Sequence, residues 1–190
     1  MTRGLLWLAF ASLLSLSCSQ SAEPTYVHEP KFSKNVSTLF AFETAPSEEG
    51  ITPDFTWKDS TGALRSLKDL RGKVVLVNFW ATWCAPCLVE TPALRDIAKD
   101  FRDQGAVVIG VAIDQAGAVY PKVEEFAHSK NLGYQVITDP KLEVYKAYTG
   151  TTDKAIPVTY VIDADGLLYT VLIGEKQYDT FAETIRDILP

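Results

Sequence analysis

Two long apolar runs organise the chain. "KVVLVNFWA" spans Lys73 to Ala81 and "AVVIGVAID" spans Ala106 to Asp114. Both are nearly continuous and rich in β-branched and aromatic residues, which suits strands covered on both faces. Between them the spacing becomes helical: Leu88, Leu94, Ile97, Ala98 and Phe101 recur on one face, and Gly105 ends the pattern. This is a strand–helix–strand unit whose parallel strands imply a right-handed crossover. A second helix is predicted from Tyr120 to Lys130, with Pro121 in its first turn and Val123, Phe126 and Ala127 on its apolar face. A strand "YQVITD" follows, then a short helix "LEVYKAY" that Gly150 stops. In "VTYVIDADGLLYTVLIGE" two apolar strands flank Asp165-Gly166, a hairpin signal. A last helix, Tyr178 to Leu189, carries Phe181, Ile185 and Ile188 or Leu189 inward. The expected fold is α/β, a mixed central sheet with helices on both faces.

The first fifty residues read differently. "MTRGLLWLAFASLLSLSC" has a basic residue, Arg3, an apolar run from Leu5 to Leu16, and small residues up to Cys18. That run is short for a bilayer span and reads as the core of a signal peptide. From Ser19 to Gly50 no period is sustained, and Pro24, Pro30, Pro46 and many Ser and Thr residues point to a tether, ordered in part near "VSTLFAF". The division is therefore residues 1–17 as a leader, 18–50 as a tether and 51–190 as one domain. With 190 residues in all, there is room for a single sizeable core. The net charge of −6 disfavours a nucleic-acid partner, because such interfaces need a basic surface.

Three cysteines are present, an odd number: Cys18 in the leader region and the pair Cys84 and Cys87. The pair opens the first predicted helix, in "NFWATWCAPCLVETP". Unpaired N–H groups and the helix dipole favour a thiolate there, and a thiolate is the form that attacks disulfides. The spacing lets the second sulfur resolve a mixed disulfide on the first. Pro86 fits the first turn, where an N–H has no partner to lose. Cys84 is thus expected to be the exposed nucleophile and Cys87 the more buried resolving thiol. A four-cysteine zinc site would need a second such pair, and His28 and His128 are remote in sequence. A purely structural bridge over so short a loop would restrain the unfolded chain little. A cysteine nucleophile with a histidine base finds no support at His128, which reads as an ordinary helix residue.

"VNFWATWCAPC" after a buried strand resembles the active-site motif of the thioredoxin fold, and "AIPVTYVID" resembles that family's second landmark, a cis-proline loop at Ile156-Pro157. The chain is most similar to the TlpA/ResA-like branch, over about Thr52 to Leu189. The carriers are the leading "TPDFTWKDSTGALRSLKDLRGKVV", Cys84, Cys87, Glu90 and Pro92 in "C-x-x-C-x-x-E-x-P", and a helix and strand inserted after "VVIGVAID". The resemblance implies a thioredoxin-like three-layer sandwich with an N-terminal hairpin, and a thiol–disulfide oxidoreductase that is tethered outside the cytoplasm. Its partners would be disulfide-containing proteins, with apocytochrome c maturation the best-known task, and a membrane electron donor. It implies no cofactor or metal beyond the Cys84–Cys87 couple. "LLSLSC" resembles a bacterial lipoprotein signal, which implies a lipid on Cys18 and a membrane location, an outer membrane being an option since Ser19 follows the cysteine.

The resemblance also distributes roles. Many thioredoxins carry an acid where this chain has Asn78, and Glu90, one turn after Cys87, is the substitute the branch suggests for proton transfer. Pro157 and Ile156 would face the cysteines and offer backbone to an extended client. Trp83, Ala85 and Pro86 would border the client groove, with Thr82 beside them. Trp80 is expected in the core and Asp114 to do no more than end a strand. A disulfide-forming oxidant on the same fold, a thiol peroxidase and a thiol-based metal-binding module are the other classes compatible with the pair.

Overall fold

The computed structural model describes residues 36–41, 50, 52–59, 61–117 and 119–189, the first of these segments as backbone course only. Eight strands form one sheet: β1 (Val36–Ala41), β2 (Thr56–Lys58), β3 (Leu64–Ser66), β4 (Val74–Trp80), β5 (Ala106–Ala112), β6 (Gln135–Thr138), β7 (Val158–Ile162) and β8 (Leu168–Ile173). Their spatial order is β3-β2-β1-β6-β5-β4-β7-β8. The central strands β4, β5 and β6 run parallel, β7 pairs antiparallel with β4, and β8 pairs antiparallel with β7. The sheet is therefore mixed, as its sequence pattern predicts. All seven residues of β4 are buried, which explains why this strand reads as an unbroken apolar run.

Four helices cover the sheet: α1 (Ala85–Asp100), α2 (Val119–Ser129), α3 (Glu143–Thr149) and α4 (Tyr178–Arg186). Neighbouring residues of β4 show which face each covers, because strand side chains alternate. Asn78 meets Glu90 of α1, and Trp80, two residues on, stacks on Phe126 of α2 with ring centroids 5.0 Å apart. Phe79 points the other way, 5.4 Å from both Tyr145 and Tyr148 on α3. The two successive crossovers β4–α1–β5 and β5–α2–β6 step in the same direction across the sheet. Right-handed connections put their helices on one face. Helix α4 joins that face against α1, burying Phe181, Ala182 and Ile185. Phe181 and Ile185 each contribute roughly 1.5–3 kcal/mol when fully buried.

The last helix stops at Arg186, three residues before the sequence pattern ends, yet Ile188 and Leu189 still pack on the core. The hairpin β7–β8 turns at Asp163 to Leu167, where Gly166 takes φ +79°, a left-handed angle that suits glycine. Upstream, the stretch "VSTLFAF", expected to be ordered in part, supplies a strand, Val36–Ala41. The segment assigned to the tether contains β1, which is a full member of the sheet, pairing Val36, Ser37 and Thr38 with β6 and Leu39 and Ala41 with β2. Gly50 also accepts the Leu168 N–H at 3.1 Å. Strand and tether are hard to separate by composition because a strand of this length carries only three alternations. The 1–17 leader and Cys18 lie outside the described residues. No helix among the described residues is long and apolar enough to cross a membrane.

Candidate active site

Cys84 is the N-cap of α1, with Pro86 in the first turn. Its Sγ accepts the Cys87 N–H at 3.2 Å, so the sulfur takes the capping place that an oxygen fills in most helices. Cys84 and Cys87 are joined as a disulfide, with Cα atoms 5.3 Å apart. The expected contrast in exposure is absent: Cys84 is 5% exposed and Cys87 3%. The cause is local. The first sulfur lies over the helix N-terminus and against the opposite loop, 3.8 Å from the Ile156 carbonyl oxygen. What distinguishes the two sulfurs is position, since Cys84 alone occupies the cap.

The Ile156–Pro157 peptide is cis, and this loop faces the cysteine pair. Two contacts fasten it. The buried Tyr145 hydroxyl donates to the Asp153 carbonyl at 2.7 Å and accepts the Ala155 N–H at 2.8 Å. On the other side the Pro157 carbonyl accepts the Gly174 N–H at 2.9 Å. Trp83 is 54% exposed beside the disulfide, with the Lys154 ammonium 5.6 Å from its ring centroid. Ala85, Pro86 and Val89 are exposed on the same helix end, and Ile156 is half-buried. The surface around the sulfurs is thus apolar, with one cation on its lip. Trp80 is in the core, as its sequence context suggests.

Glu90 is 1% exposed, although a glutamate is seldom buried without partners. Its Oε1 accepts Asn78 Nδ2 at 2.8 Å and its Oε2 accepts the Lys176 N–H at 2.9 Å. Asn78 donates also to Thr159 Oγ1 at 2.9 Å, linking α1, β4 and β7. Burial pushes the Glu90 carboxyl up to about 7, and the Lys176 N–H and the Asn78 amide hold it from rising further. This acid can therefore change its proton near neutrality, one helical turn from Cys87.

Asp114 does more than end β5. It is 1% exposed, and its carboxylate accepts the Thr82 N–H at 3.0 Å, the Thr82 hydroxyl at 2.5 Å and the Lys122 ammonium at 3.2 Å. Thr82 is expected to help shape the groove, but its hydroxyl turns to Asp114, and the residue fixes the turn that presents Trp83 and Cys84. Sequence reading misses this because the partners are 32 positions apart and neither belongs to a recognised motif. Thr159 and Lys176 escape it for the same reason, though "VTY" directly after the proline marks Thr159 as a strand position beside the site. His128 is exposed on α2, and no cluster of three metal-ligating side chains occurs among the described residues.

Several known proteins are similar to this chain. Residues 50–171 match the AhpC/TSA family. Thiol-disulfide oxidoreductase ResA of Bacillus subtilis is 31% identical over 138 residues, covering 73% of this chain and 74% of the relative. Thioredoxin-like protein YneN of the same organism is 36% identical over 132 residues, covering 70% and 75%. Among solved structures, a thioredoxin-family thiol:disulfide interchange protein of Chlorobium tepidum superposes with a TM-score of 0.66 at 28% identity, over 77% of this chain and 100% of that one.

Proposed function

The chain belongs to the AhpC/TSA family and is a thioredoxin-like thiol–disulfide oxidoreductase similar to ResA, and from that premise we propose that it works as a reductant of disulfides in client proteins outside the cytoplasm. The observation that carries the reading is the placement of Cys84 Sγ at the cap of α1, accepting the Cys87 N–H, against the Ile156 carbonyl. A thiolate formed at that cap is favoured by the helix N-terminus.

The exchange balances as two electrons and two protons. The Cys84 thiolate attacks one sulfur of a client disulfide; a Cys84–client bond forms and the client's other sulfur leaves as a thiolate that takes a proton. Cys87, deprotonated, then attacks Cys84 Sγ. The Cys84–Cys87 bond closes and the client leaves as a dithiol. Glu90 accepts the Cys87 proton when its carboxylate is ionised and returns it when the dithiol is restored. Ile156 and Pro157 offer main chain to an extended client strand, and Trp83, Ala85 and Pro86 border it. A membrane thiol donor restores the dithiol, and no cofactor beyond the couple takes part. Resemblance to the TlpA/ResA-like branch points to apocytochrome c as a client class, and "LLSLSC" to lipidation of Cys18 as the anchor to a bacterial membrane.

The test is the equilibrium of the Cys84/Cys87 couple against glutathione or dithiothreitol. A reductant should poise well below the strongly oxidising end of the scale; a potential around −120 mV would make the protein a disulfide-forming oxidant instead. Consumption of hydrogen peroxide by the reduced protein, measured in parallel, reads out the thiol-peroxidase alternative.

A further inference from the structure

The loop from Ile173 to Lys176, between β8 and α4, has an unusual internal arrangement. Two of its N–H groups point into the site: Gly174 to the Pro157 carbonyl and Lys176 to Glu90 Oε2, each at 2.9 Å. Three consecutive carbonyls of the same loop, from Ile173, Gly174 and Glu175, converge on a single point. The Lys176 ammonium sits there, donating at 2.5, 3.0 and 3.3 Å. An ammonium has three protons, and each one here has an oxygen. The left-handed φ of +76° at Gly174 makes the turn possible. Ordering a lysine side chain costs conformational entropy, and a solvated surface lysine would not adopt this fold-back without those three bonds.

We propose that Lys176 is a positioning residue for thiol–disulfide exchange: its ammonium, seated on the carbonyls of Ile173, Gly174 and Glu175, holds its own backbone N–H on the Glu90 carboxylate and so sets the pH range in which Glu90 trades a proton with the cysteine pair. This rests on the reading of Glu90 as the proton carrier. The N–H of Lys176 is the largest counterweight to the burial of Glu90, ahead of the Asn78 amide. The groups that face Glu90 are few. Asn78 reaches it from β4, Lys176 and Glu175 act from the loop, the former lowering and the latter raising its carboxyl, Tyr134 lies within electrostatic reach on the sheet side, and Cys87 shares its helix. Of these, only Lys176 couples a flexible charged side chain to a main-chain donor.

The experiment follows the alkylation rate of Cys84 in the reduced protein against pH, in about 0.5 M tetramethylammonium chloride, which screens long-range charge and is too bulky to enter between the carbonyls. Lys176→Met should let Glu90 stay neutral to higher pH, and a neutral Glu90 repels the Cys84 thiolate less. The midpoint of the alkylation profile should therefore shift downward, by at most about the half to one pH unit that one lost charge-assisted hydrogen bond moves Glu90 itself. Methylammonium replacing part of the salt should reverse the shift in the variant and leave the parent protein unchanged. Lys176→Arg keeps the charge, yet its planar guanidinium cannot satisfy three converging carbonyls, so it should shift the same way. The proposal is overturned if both variants follow the parent profile, if methylammonium fails to reverse the Met shift, or if only the charge-removing variant moves. Glu90→Gln separates the two levels. Should it change the profile while the Lys176 variants do not, Glu90 stands and Lys176 falls; should it change nothing, both fall. Unfolding curves in the same buffers report whether each variant is folded.

Discussion

Asn78 and Glu90 stand 12 positions apart in sequence and meet through a single 2.8 Å hydrogen bond, amide nitrogen to carboxylate oxygen, in the dry space between β4 and α1. The strand supplies the neutral donor and the helix the acid. A carboxyl so placed keeps its proton to near neutrality, because desolvation outweighs two hydrogen bonds to its charged form.

That relationship predicts a pH dependence of stability. The Glu90 carboxyl is raised from 4.5 to about 7 in the folded protein. Between these values the folded state binds the proton and the unfolded state does not, so stability falls as pH rises through this window and levels off above it. The span corresponds to about 3 kcal/mol. Urea unfolding of the disulfide-bonded protein from pH 4 to 8 should show the decline, and Glu90→Gln should flatten it by a comparable amount. Equal slopes in the two proteins would mean that Glu90 ionises in the native state as it does in water.

Cys84→Ser should abolish insulin reduction while leaving the unfolding midpoint of the reduced protein nearly unchanged. Cys87→Ser should instead accumulate a mixed disulfide with the client, visible by mass, because the attacking sulfur remains and the resolving one is gone. Turnover by the Cys84 variant would reassign the nucleophile.

Asp114→Ala removes a buried acceptor from the Thr82 N–H and hydroxyl and from Lys122. The loss should cost about 1–3 kcal/mol in denaturant unfolding, the usual penalty for stranding buried donors. Client reduction should slow more than stability alone explains, since Thr82 leads directly into Trp83 and Cys84. Retention of the full rate would confine Asp114 to a packing role.

Gly110→Ala tests the packing behind the site. A Cβ at Gly110 would lie 2.9 Å from Trp80 Nε1 and 3.0 Å from the Tyr134 ring. Among the described residues that indole nitrogen is also the one buried side-chain polar atom without a hydrogen-bond partner. Neither ring can retreat far in a core this dense, so the added methyl should destabilise by about 1–3 kcal/mol. A neutral result in thermal unfolding would show that Trp80 has room to swing.

The strand and helix order was legible because β4 and β5 are covered on both faces and α4 keeps a clear apolar stripe, so period and burial coincide there. In α1 they coincide only from Leu94 on, since its first turns bury Glu90 and Thr91 and expose Leu88, which the sequence pattern places on the apolar face. The cysteine pair and the loop at Pro157 were legible because their residue types carry backbone constraints as well as chemistry. Asp114 and Lys176 were not. Their roles come from main-chain atoms of distant segments, an N–H at Thr82 and three carbonyls after β8, and every residue has such atoms. The near-equal burial of Cys84 and Cys87 was hidden for another reason: the Cys84 sulfur lies against the Ile156 carbonyl, 72 positions away, a contact that residue letters do not encode.

Strand β1 has a practical side. Its first three residues hydrogen-bond to β6 and its last ones to β2, so one short segment is the seam between the β2–β3 hairpin and the rest of the sheet. The family match begins at residue 50, downstream of that seam. A recombinant fragment cut there would retain both cysteines and the proline loop, yet it would present two bare ladders, on β2 and on β6, to any chain nearby. Open edges of this kind recruit other strands. Expression boundaries for this protein belong upstream of Val36, and fragments that start at Gly50 should self-associate where longer ones do not.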